Sequence, residues 1–222
     1  MKSIKSITSI SNYLEKSKRD IVKKPSGVLK FPYITPGGLY HQLWDWDSFF
    51  IGVVLSDGGN AEPLKHSVMN FLYFIEEDGH TPWVINPKSY PNRRQKGKPF
   101  LAQSSLIASF SFRDFNWINN IYSDLKKSIE YWENYRKNSN GLCVWMDGYE
   151  SGSDNNPATL WPAFTVEGVD LNCFLYREYI AFSIISEKLE KFDIQRIYIM
   201  KANSLEEVIN EKMWSTVDSS YY

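Results

Sequence analysis

The chain has 222 residues, 43% hydrophobic and 16% aromatic, enough to bury a sizeable core as one domain over residues 1–222. Its 25 basic and 26 acidic side chains nearly balance, which argues against nucleic acid or an anionic membrane as a partner. No apolar run reaches the ~18 residues of a membrane span, and charges and hydroxyls interrupt the N-terminal segment where a signal peptide is apolar. We therefore expect a cytoplasmic protein.

Helical periodicity dominates the sequence. From Pro63, apolar residues recur at three- and four-residue intervals as far as Ile75, and Gly79 is expected to close this helix. Comparable patterns predict helices over 1–23, 45–56, 99–112, 116–137, 168–190 and 194–214. About seven helices indicate an all-α fold.

Three connections are longer than the ~2–8 residues typical of helix–helix loops. Segments 24–43, 79–98 and 138–167 are rich in proline, glycine, asparagine and aromatic residues. Because long loops at one end of a helical scaffold usually form a site, we expect the functional residues there.

The most informative loop reads D-G-Y-E-S-G-S-D-N-N-P over residues 147–157. It places Glu150 and Asp154 among turn-forming residues, with Trp145 and Trp161 on either side. A sugar offers apolar C–H faces that stack on aromatic rings and an acetal oxygen that must be protonated as it leaves. Carboxylates between tryptophans therefore favour a glycosidase.

A second motif, P-G-G-L-Y-H-Q-L-W-D-W-D-S-F-F, covers residues 36–50. It offers flat faces for a sugar and acceptors for its hydroxyls, from Tyr40, Trp44, Trp46 and either Asp45 or Asp47. Asp47 is equally suited to cap a helix beginning at Ser48, and aromatic side chains more often pack in a core.

The third loop, H-T-P-W-V-I-N-P-K-S-Y-P-N-R-R, adds Trp83, Tyr90 and the cations Arg93 and Arg94. These residues suit hydroxyls and an acidic substituent on the sugar, although a solvated basic loop explains the arginines as well. Gln103 follows at a predicted helix start, where a buried amide needs hydrogen-bond partners.

These motifs carry a family resemblance. Residues 36–50 resemble the trehalase signature, and E-S-G-S-D-N-N-P is similar to the loop of related α-glucosidases and mannosylglycerate or glucosylglycerate hydrolases, in glycoside hydrolase families 37 and 63. The segment V-D-L-N-C-F-L-Y-R-E-Y from Val169 resembles a helix of the same enzymes. The matches are ordered and spread over residues 31–180.

The resemblance implies an (α/α)6 barrel that hydrolyses an α-glycosidic bond with inversion. Asp154 falls on the family's general acid. The pocket of the non-reducing sugar falls on Tyr40, Trp44, Trp46 and Asp47, with Tyr90, Gln103 and Glu150 as further substrate-binding candidates. Gln42 and Leu39 replace the Glu and Arg of trehalases, which favours a glucosylglycerate, mannosylglycerate or short α-glucoside over trehalose.

Inversion needs a second carboxylate ~6.5–9.5 Å away, on the opposite face of the sugar. Glu150 shares one tight loop with Asp154, so it is better interpreted as raising the pKa of Asp154 or fixing the loop. Asp147 suits a turn with Gly148, and Glu167 suits a helix start.

In the resembling families the base lies in the second half of the barrel. Twelve helices with such loops need on the order of 380 residues, so the chain is expected to be an N-terminal portion. It would then form an incomplete toroid that lacks the base and, by itself, hydrolyses no glycoside at an enzymatic rate. Exposed apolar flanks would favour self-association or pairing with the missing C-terminal half.

Acid–base hydrolysis needs no cofactor, and the spacings of Cys143, Cys173 and the three histidines predict free thiols and no structural metal. A calcium ion in loop 147–156 remains an alternative. Two other classes of function also remain open: a non-catalytic carbohydrate-binding protein that uses the same tryptophans, and a helical interaction protein in which they are core.

Overall fold

A computed structural model describes residues 20–160 and 162–222, together with residues 8, 9, 12, 13 and 16. Among the described residues after position 21 there are seven α-helices: α1 Asp45–Asp57, α2 Glu62–Tyr73, α3 Leu101–Phe112, α4 Tyr122–Tyr135, α5 Gly148–Ser151, α6 Val169–Lys188 and α7 Phe192–Lys212. Two 3₁₀ turns cover Asn116–Asn120 and Pro157–Thr159. The all-α prediction is confirmed. The predicted helix over 1–23 lies mostly outside the described residues, and its last two residues, Val22 and Lys23, form a strand instead.

Three short antiparallel strand pairs accompany the helices. The pairs are β1 Val22–Lys23 with β2 Tyr33–Ile34, β3 Leu43–Trp44 with β4 Val84–Ile85, and β5 Trp214–Ser215 with β6 Ser220–Tyr221. The β3–β4 pair joins two of the long loops, with Trp44 opposite Val84. It therefore brings the second and third motifs together beside the start of α1.

The two longest helices, α6 and α7, form the largest part of the core. Their apolar residues recur every three or four positions, so each helix buries one stripe against the other. Phe182 and Tyr198 lie at this contact, with ring centroids 4.7 Å apart. A tight turn connects the helices, in which Glu190 adopts a left-handed conformation (φ 58°) and Lys191 N–H donates to the carbonyl of Ser186.

Helix α2 ends earlier than its sequence predicts. It stops at Tyr73, after which Phe74 and Ile75 donate to the carbonyls of Phe71 and Leu72 in a tightening turn. Gly79 does not cap it. A Cβ on Gly79 would lie 2.1 Å from the carbonyl oxygen of Lys127, so this glycine permits close approach to α4 instead.

A buried carboxylate connects α6 to the start of α3. Glu178 is 2% exposed and accepts hydrogen bonds from the backbone N–H groups of Ala102 and Gln103, at 2.7 and 3.1 Å. These are orphan donors of the first helical turn, which a carboxylate satisfies well. Burial raises the pKa of Glu178 to about 7, against the lowering effect of these bonds.

None of the helices in the described ranges combines the length and apolar character that crossing a bilayer requires.

Candidate active site

A cleft of about 1020 Å³ lies where the start of α1, the segment before α3 and the loop around α5 meet. Its aromatic lining comes from Tyr40, Trp44, Trp46, Trp83 and Tyr149, its carboxylates are Asp45, Asp47, Asp147 and Asp154, and its cations are Arg94 and Lys98. The volume lies at the top of the ~300–1,000 Å³ range of small-molecule sites. All three long loops contribute to it.

The aromatic wall is assembled from two loops. The Trp44 ring lies 5.1 Å from that of Trp83 and 6.4 Å from that of Tyr40, both nearly perpendicular. Edge-to-face packing fixes these rings at low entropic cost, which leaves flat apolar surface facing the cleft.

Trp46 contacts the loop that carries Asp154. Gly152 follows α5 with φ 75°, and a Cβ at this position would lie 2.7 Å from Cζ2 of the Trp46 indole. Only glycine allows the loop to approach the ring this closely.

The sequence-predicted acid, Asp154, lines the same cleft as the start of α1. Asp154 is exposed and follows α5 in a turn that side chains hold in shape. Asp147 Oδ1 accepts the N–H of Glu150 at 2.8 Å, and Asn156 Oδ1 accepts the N–H of Ala158 at 3.0 Å. The structure thus brings Asp154, Trp46 and Asp47 to one cleft.

Asp47 lies in the first turn of α1 and is half-buried. Burial raises its pKa, the charge of Asp45 adds to the rise, and Lys98 opposes it. Asp45 differs, because its buried carboxylate is occupied within the protein: it accepts the N–H groups of Trp46 at 2.7 Å and of Lys98 at 2.8 Å.

Lys98 is a cleft residue that sequence reasoning missed. Its side chain is 1% exposed, and its ammonium lies 3.4 Å from both oxygens of Asp45. The ammonium also lies 4.7 Å from the ring centroid of Trp46, with Trp83 and Trp145 at 6.0 and 5.9 Å. The sequence signal is a lysine directly before the buried run Pro99–Leu101, a position where an exposed lysine is not expected.

Glu150 does not line the cleft. It is 0% exposed and accepts the backbone N–H groups of Met146 at 2.6 Å and Lys96 at 2.7 Å, and the guanidinium of Arg136 at 3.1 Å. Burial raises its pKa, and Arg136 opposes the rise. The residue is therefore placed to fix the loop, and not to contact a sugar.

Tyr90 and Gln103 also lie outside the cleft lining. Tyr90 is 75% exposed and packs edge-on against Phe74. Gln103 is buried, and its amide donates to the carbonyls of Pro99 and Phe174 at 2.7 and 3.1 Å. Both were predicted as substrate contacts, Tyr90 because its side chain suits sugar hydroxyls and Gln103 because of the family resemblance. In the structure their side chains are engaged by Phe74 and by the Pro99 and Phe174 carbonyls instead.

Other predicted residues have local partners. Arg93 pairs with Glu76 and Asp78, whereas Arg94 lines the cleft 4.0 Å from Asp147. Glu167 accepts the side-chain amides of Asn138 and Asn140 and is not part of the cleft lining.

The tryptophans expected to flank the acid loop have different positions. Trp145 is 1% exposed and donates to Asp170 at 3.1 Å, behind the cleft, while Trp161 lies outside the described residues. Both cysteines are free. In the described ranges no three His, Cys, Asp or Glu side chains are grouped as a metal site requires.

Curated relatives of the chain are trehalases. The periplasmic trehalase of Salmonella choleraesuis (strain SC-B67) is 32% identical over 114 residues, which are 50% of this chain and 19% of that protein. The trehalase of Bombyx mori is 26% identical over 125 residues, 52% of this chain and 20% of that protein. The matched segment is thus about a fifth of each relative's length.

Solved structures share the fold. The GH63 mannosylglycerate hydrolase from Thermus thermophilus, in complex with glucose, matches with a TM-score of 0.67 and 17% identity, over 94% of this chain and 67% of that chain. A rhamnosidase from Klebsiella oxytoca with rhamnose bound matches with a TM-score of 0.61 and 12% identity, over 81% of this chain and 34% of that chain. At these identities the likeness shows the fold alone, and it confirms the helical toroid type of architecture.

Residues 40–222 match the family described as the mannosylglycerate hydrolase MGH1-like glycoside hydrolase domain. The match includes the start of α1 and the long loops 79–98 and 138–167, and it confirms the resemblance to the family 63 and trehalase type. Because it covers most of the sequence, the chain belongs to the MGH1-like family of glycoside hydrolase domains.

Proposed function

We propose that the chain supplies the general acid and the non-reducing sugar pocket of an inverting α-glycoside hydrolase. The observation that carries this proposal is that Asp154 lines one cleft together with Trp44, Trp46 and Asp47. Tryptophan faces stack on the sugar ring, and the Asp47 carboxylate accepts hydrogen bonds from its hydroxyls.

In this mechanism Asp154 donates its proton to the glycosidic oxygen while the bond from that oxygen to the anomeric carbon breaks. Water adds to the anomeric carbon from the opposite face and loses a proton to a base, so that configuration inverts. Glu150 is unsuited to be that base, because it is buried and bound to Arg136. Asp147 is occupied by the N–H of Glu150 and the amide of Gln95. We propose that the base is contributed from outside the cleft residues described.

The proposed substrates are glucosylglycerate, mannosylglycerate, short α-glucosides and, less favoured, trehalose. Lys98 is held by Asp45, so Arg94 is the cleft cation with an exposed side chain. Its position suits an aglycone that carries a carboxylate, such as glycerate. A curated relative named trehalase and the matching family, named for mannosylglycerate hydrolase, support this range.

The test measures binding and turnover separately on the purified chain. Tryptophan fluorescence is titrated with glucose, trehalose and glucosylglycerate, and hydrolysis of the same glycosides and of aryl α-glucosides is followed. We expect Asp154→Asn to bind sugar like the wild type and Trp46→Ala to lose at least about tenfold in affinity. Trp214→Ala, which removes a tryptophan from β5 outside the cleft lining, is the matched control.

If the chain hydrolyses a glycoside and Asp154→Asn abolishes that activity, the assignment of Asp154 as general acid is supported. The same result would contradict the proposal that the general base comes from outside the described cleft residues. An absence of sugar binding in the wild type would contradict the whole proposal.

A non-catalytic carbohydrate-binding protein is the second candidate. It is favoured by the internal occupation of Asp45, Asp147 and Glu150, which leaves Asp154 and Asp47 as the acidic groups facing the cleft. This candidate is favoured if the protein binds sugar but does not hydrolyse it even when a segment that supplies a general base is present.

A further inference from the structure

The segment Gln95–Lys98, here called the bridging segment, is hydrogen-bonded both to the loop that carries Asp154 and to the start of α1. The N–H of Lys96 donates to Oε1 of Glu150 at 2.7 Å, and the N–H of Lys98 donates to Oδ2 of Asp45 at 2.8 Å. Between them, the N–H of Gly97 donates to the carbonyl of Thr81 at 2.8 Å. Three successive amides are thus bound, the outer two by buried carboxylates that belong to the acid loop and to the start of α1.

On the acid side, Glu150 also binds the N–H of Met146 and the guanidinium of Arg136, which anchors the loop to the end of α4. A second contact runs parallel to the first, because the Gln95 side-chain amide donates to Asp147 Oδ2 at 3.0 Å. The loop that carries Asp154 is therefore attached to the bridging segment at two points.

On the sugar-pocket side, Asp45 is the first residue of α1 and precedes Trp46 and Asp47 directly. Its carboxylate binds the N–H and the ammonium of Lys98, and that ammonium in turn lies over the Trp46 ring. Any shift of residue 98 is therefore transmitted to the sugar-binding wall.

We propose that Glu150 and Asp45 are positioning residues that act through the bridging segment to set the separation between Asp154 and the sugar pocket. The proposal rests on the proposed function, in which Asp154 must come within hydrogen-bond distance, ~2.6–3.2 Å, of the glycosidic oxygen. Misplacement by ~1 Å is enough to reduce such an interaction severely. A buried ion pair gives little net stability, because the cost of desolvation offsets its attraction. We therefore assign these two carboxylates the role of fixing the positions of the segments that they join.

The experiment compares a ligand that needs one wall with a ligand that needs both. Glucose fills the sugar pocket alone, whereas a sulfur-linked α-glucosyl disaccharide, which resists hydrolysis, also reaches the acid loop. The double variant Arg136→Met/Glu150→Gln removes both charges together, which avoids an unpaired buried cation. The matched control is Glu133→Gln/Lys201→Met, which removes the 2.6 Å ion pair between α4 and α7, remote from the cleft lining.

We expect Arg136→Met/Glu150→Gln to lose about tenfold in affinity for the disaccharide and to stay within about twofold for glucose. The control is expected to change neither affinity, and Asp45→Asn is expected to weaken both ligands because it adjoins Trp46. If Arg136→Met/Glu150→Gln loses affinity equally for both ligands, Glu150 has only a structural role and the proposal is contradicted. An unchanged disaccharide affinity would overturn the proposal.

Hydrogen exchange separates failure of this proposal from failure of the proposed function. If the wild type binds neither ligand, the proposed function fails. The attachment is then judged by the amides of Lys96 and Met146, which should exchange faster in Arg136→Met/Glu150→Gln while that of Lys98 does not. Equal exchange at the three amides would contradict the two-sided attachment.

Discussion

At the scale of one residue, Lys96 shows how strongly burial near the cleft changes the pKa of a side chain. Its side chain is fully buried, and its ammonium donates to the hydroxyls of Thr81 and Ser128 at 2.6 and 2.9 Å. Neither partner carries a charge. Burial lowers the pKa of Lys96 to about 7; Glu178 and Glu150 raise it, and Arg136 lowers it further.

This shift predicts a pH dependence of stability. An unfolded lysine titrates near ~10.4, so above pH 7 the unfolded chain holds a proton that the folded chain has released. The free energy of unfolding therefore rises with pH through the window from 7 to 10, by up to about 1.4 kcal/mol per pH unit. We expect this contribution to be absent in Lys96→Met, measured as urea unfolding from pH 6 to 8.5 relative to the wild type.

Lys127→Met is the matched control, because this lysine lies on α4 with its side chain 48% exposed. It should keep the slope of the wild type. Parallel curves for the wild type and Lys96→Met would show that the Lys96 pKa is not lowered in the folded chain.

At the scale of elements, helix α5 and its C-terminal glycine bring the acid loop against Trp46. Gly152→Ala adds a Cβ where the indole lies 2.7 Å away and also strains a backbone with φ 75°. Gly59→Ala strains a similar backbone, φ 80°, but its Cβ meets nothing within 4 Å. Comparison of the two variants therefore separates the effect of backbone strain from the effect of the contact with the indole.

We expect both alanine variants to lose roughly 1–3 kcal/mol of stability, since both place a side chain at positive φ. Only Gly152→Ala should also weaken sugar binding and change the fluorescence of Trp46. Thermal melts and fluorescence titrations measure the two effects. A Gly59→Ala variant that weakens sugar binding equally would contradict a role for the loop–indole contact.

The elements differ in how well sequence predicts them. Helices such as α1 and α6 begin within a residue of their predicted starts, because apolar periodicity and local turn signals act within the helix itself. The predicted end of α2 was wrong, since Gly79 serves a contact with α4 that no local pattern records.

The candidate-site residues also divide into those that a local motif predicts and those that only the folded chain brings together. Trp46, Asp47 and Asp154 were found because each lies in a compact motif, and the cleft unites them. The environment of Lys98 arises from Trp46, Trp83 and Trp145, which lie in three separate segments. Such a cluster exists only after folding, so no single window of sequence predicts it.

At the scale of the whole molecule, Glu178 couples the part that precedes the acid loop to the part that follows it. It projects from α6 and satisfies two amides at the start of α3, the helix that begins at Leu101, three residues after the end of the bridging segment. Phe100 and Phe174 pack beside this contact, with ring centroids 4.8 Å apart. The segment before α3 carries the cleft residues Arg94 and Lys98, and Glu178 joins the start of α3 to the α6–α7 core. We therefore expect the described chain to unfold as one cooperative unit.

Glu178→Ala tests this coupling. It leaves two buried N–H groups without an acceptor, each worth about 1–3 kcal/mol when unsatisfied, so the loss should be several kcal/mol. Glu187→Ala, an exposed position on the same helix, is the matched control and should cost less than about 0.5 kcal/mol. Unfolding is followed by tryptophan fluorescence, to which Trp44, Trp46 and Trp83 of the cleft contribute, and by far-UV circular dichroism, which reports on all helices. Coincident midpoints that fall together in Glu178→Ala support one unit, whereas a fluorescence midpoint that falls alone would show that the cleft unfolds separately from α6 and α7.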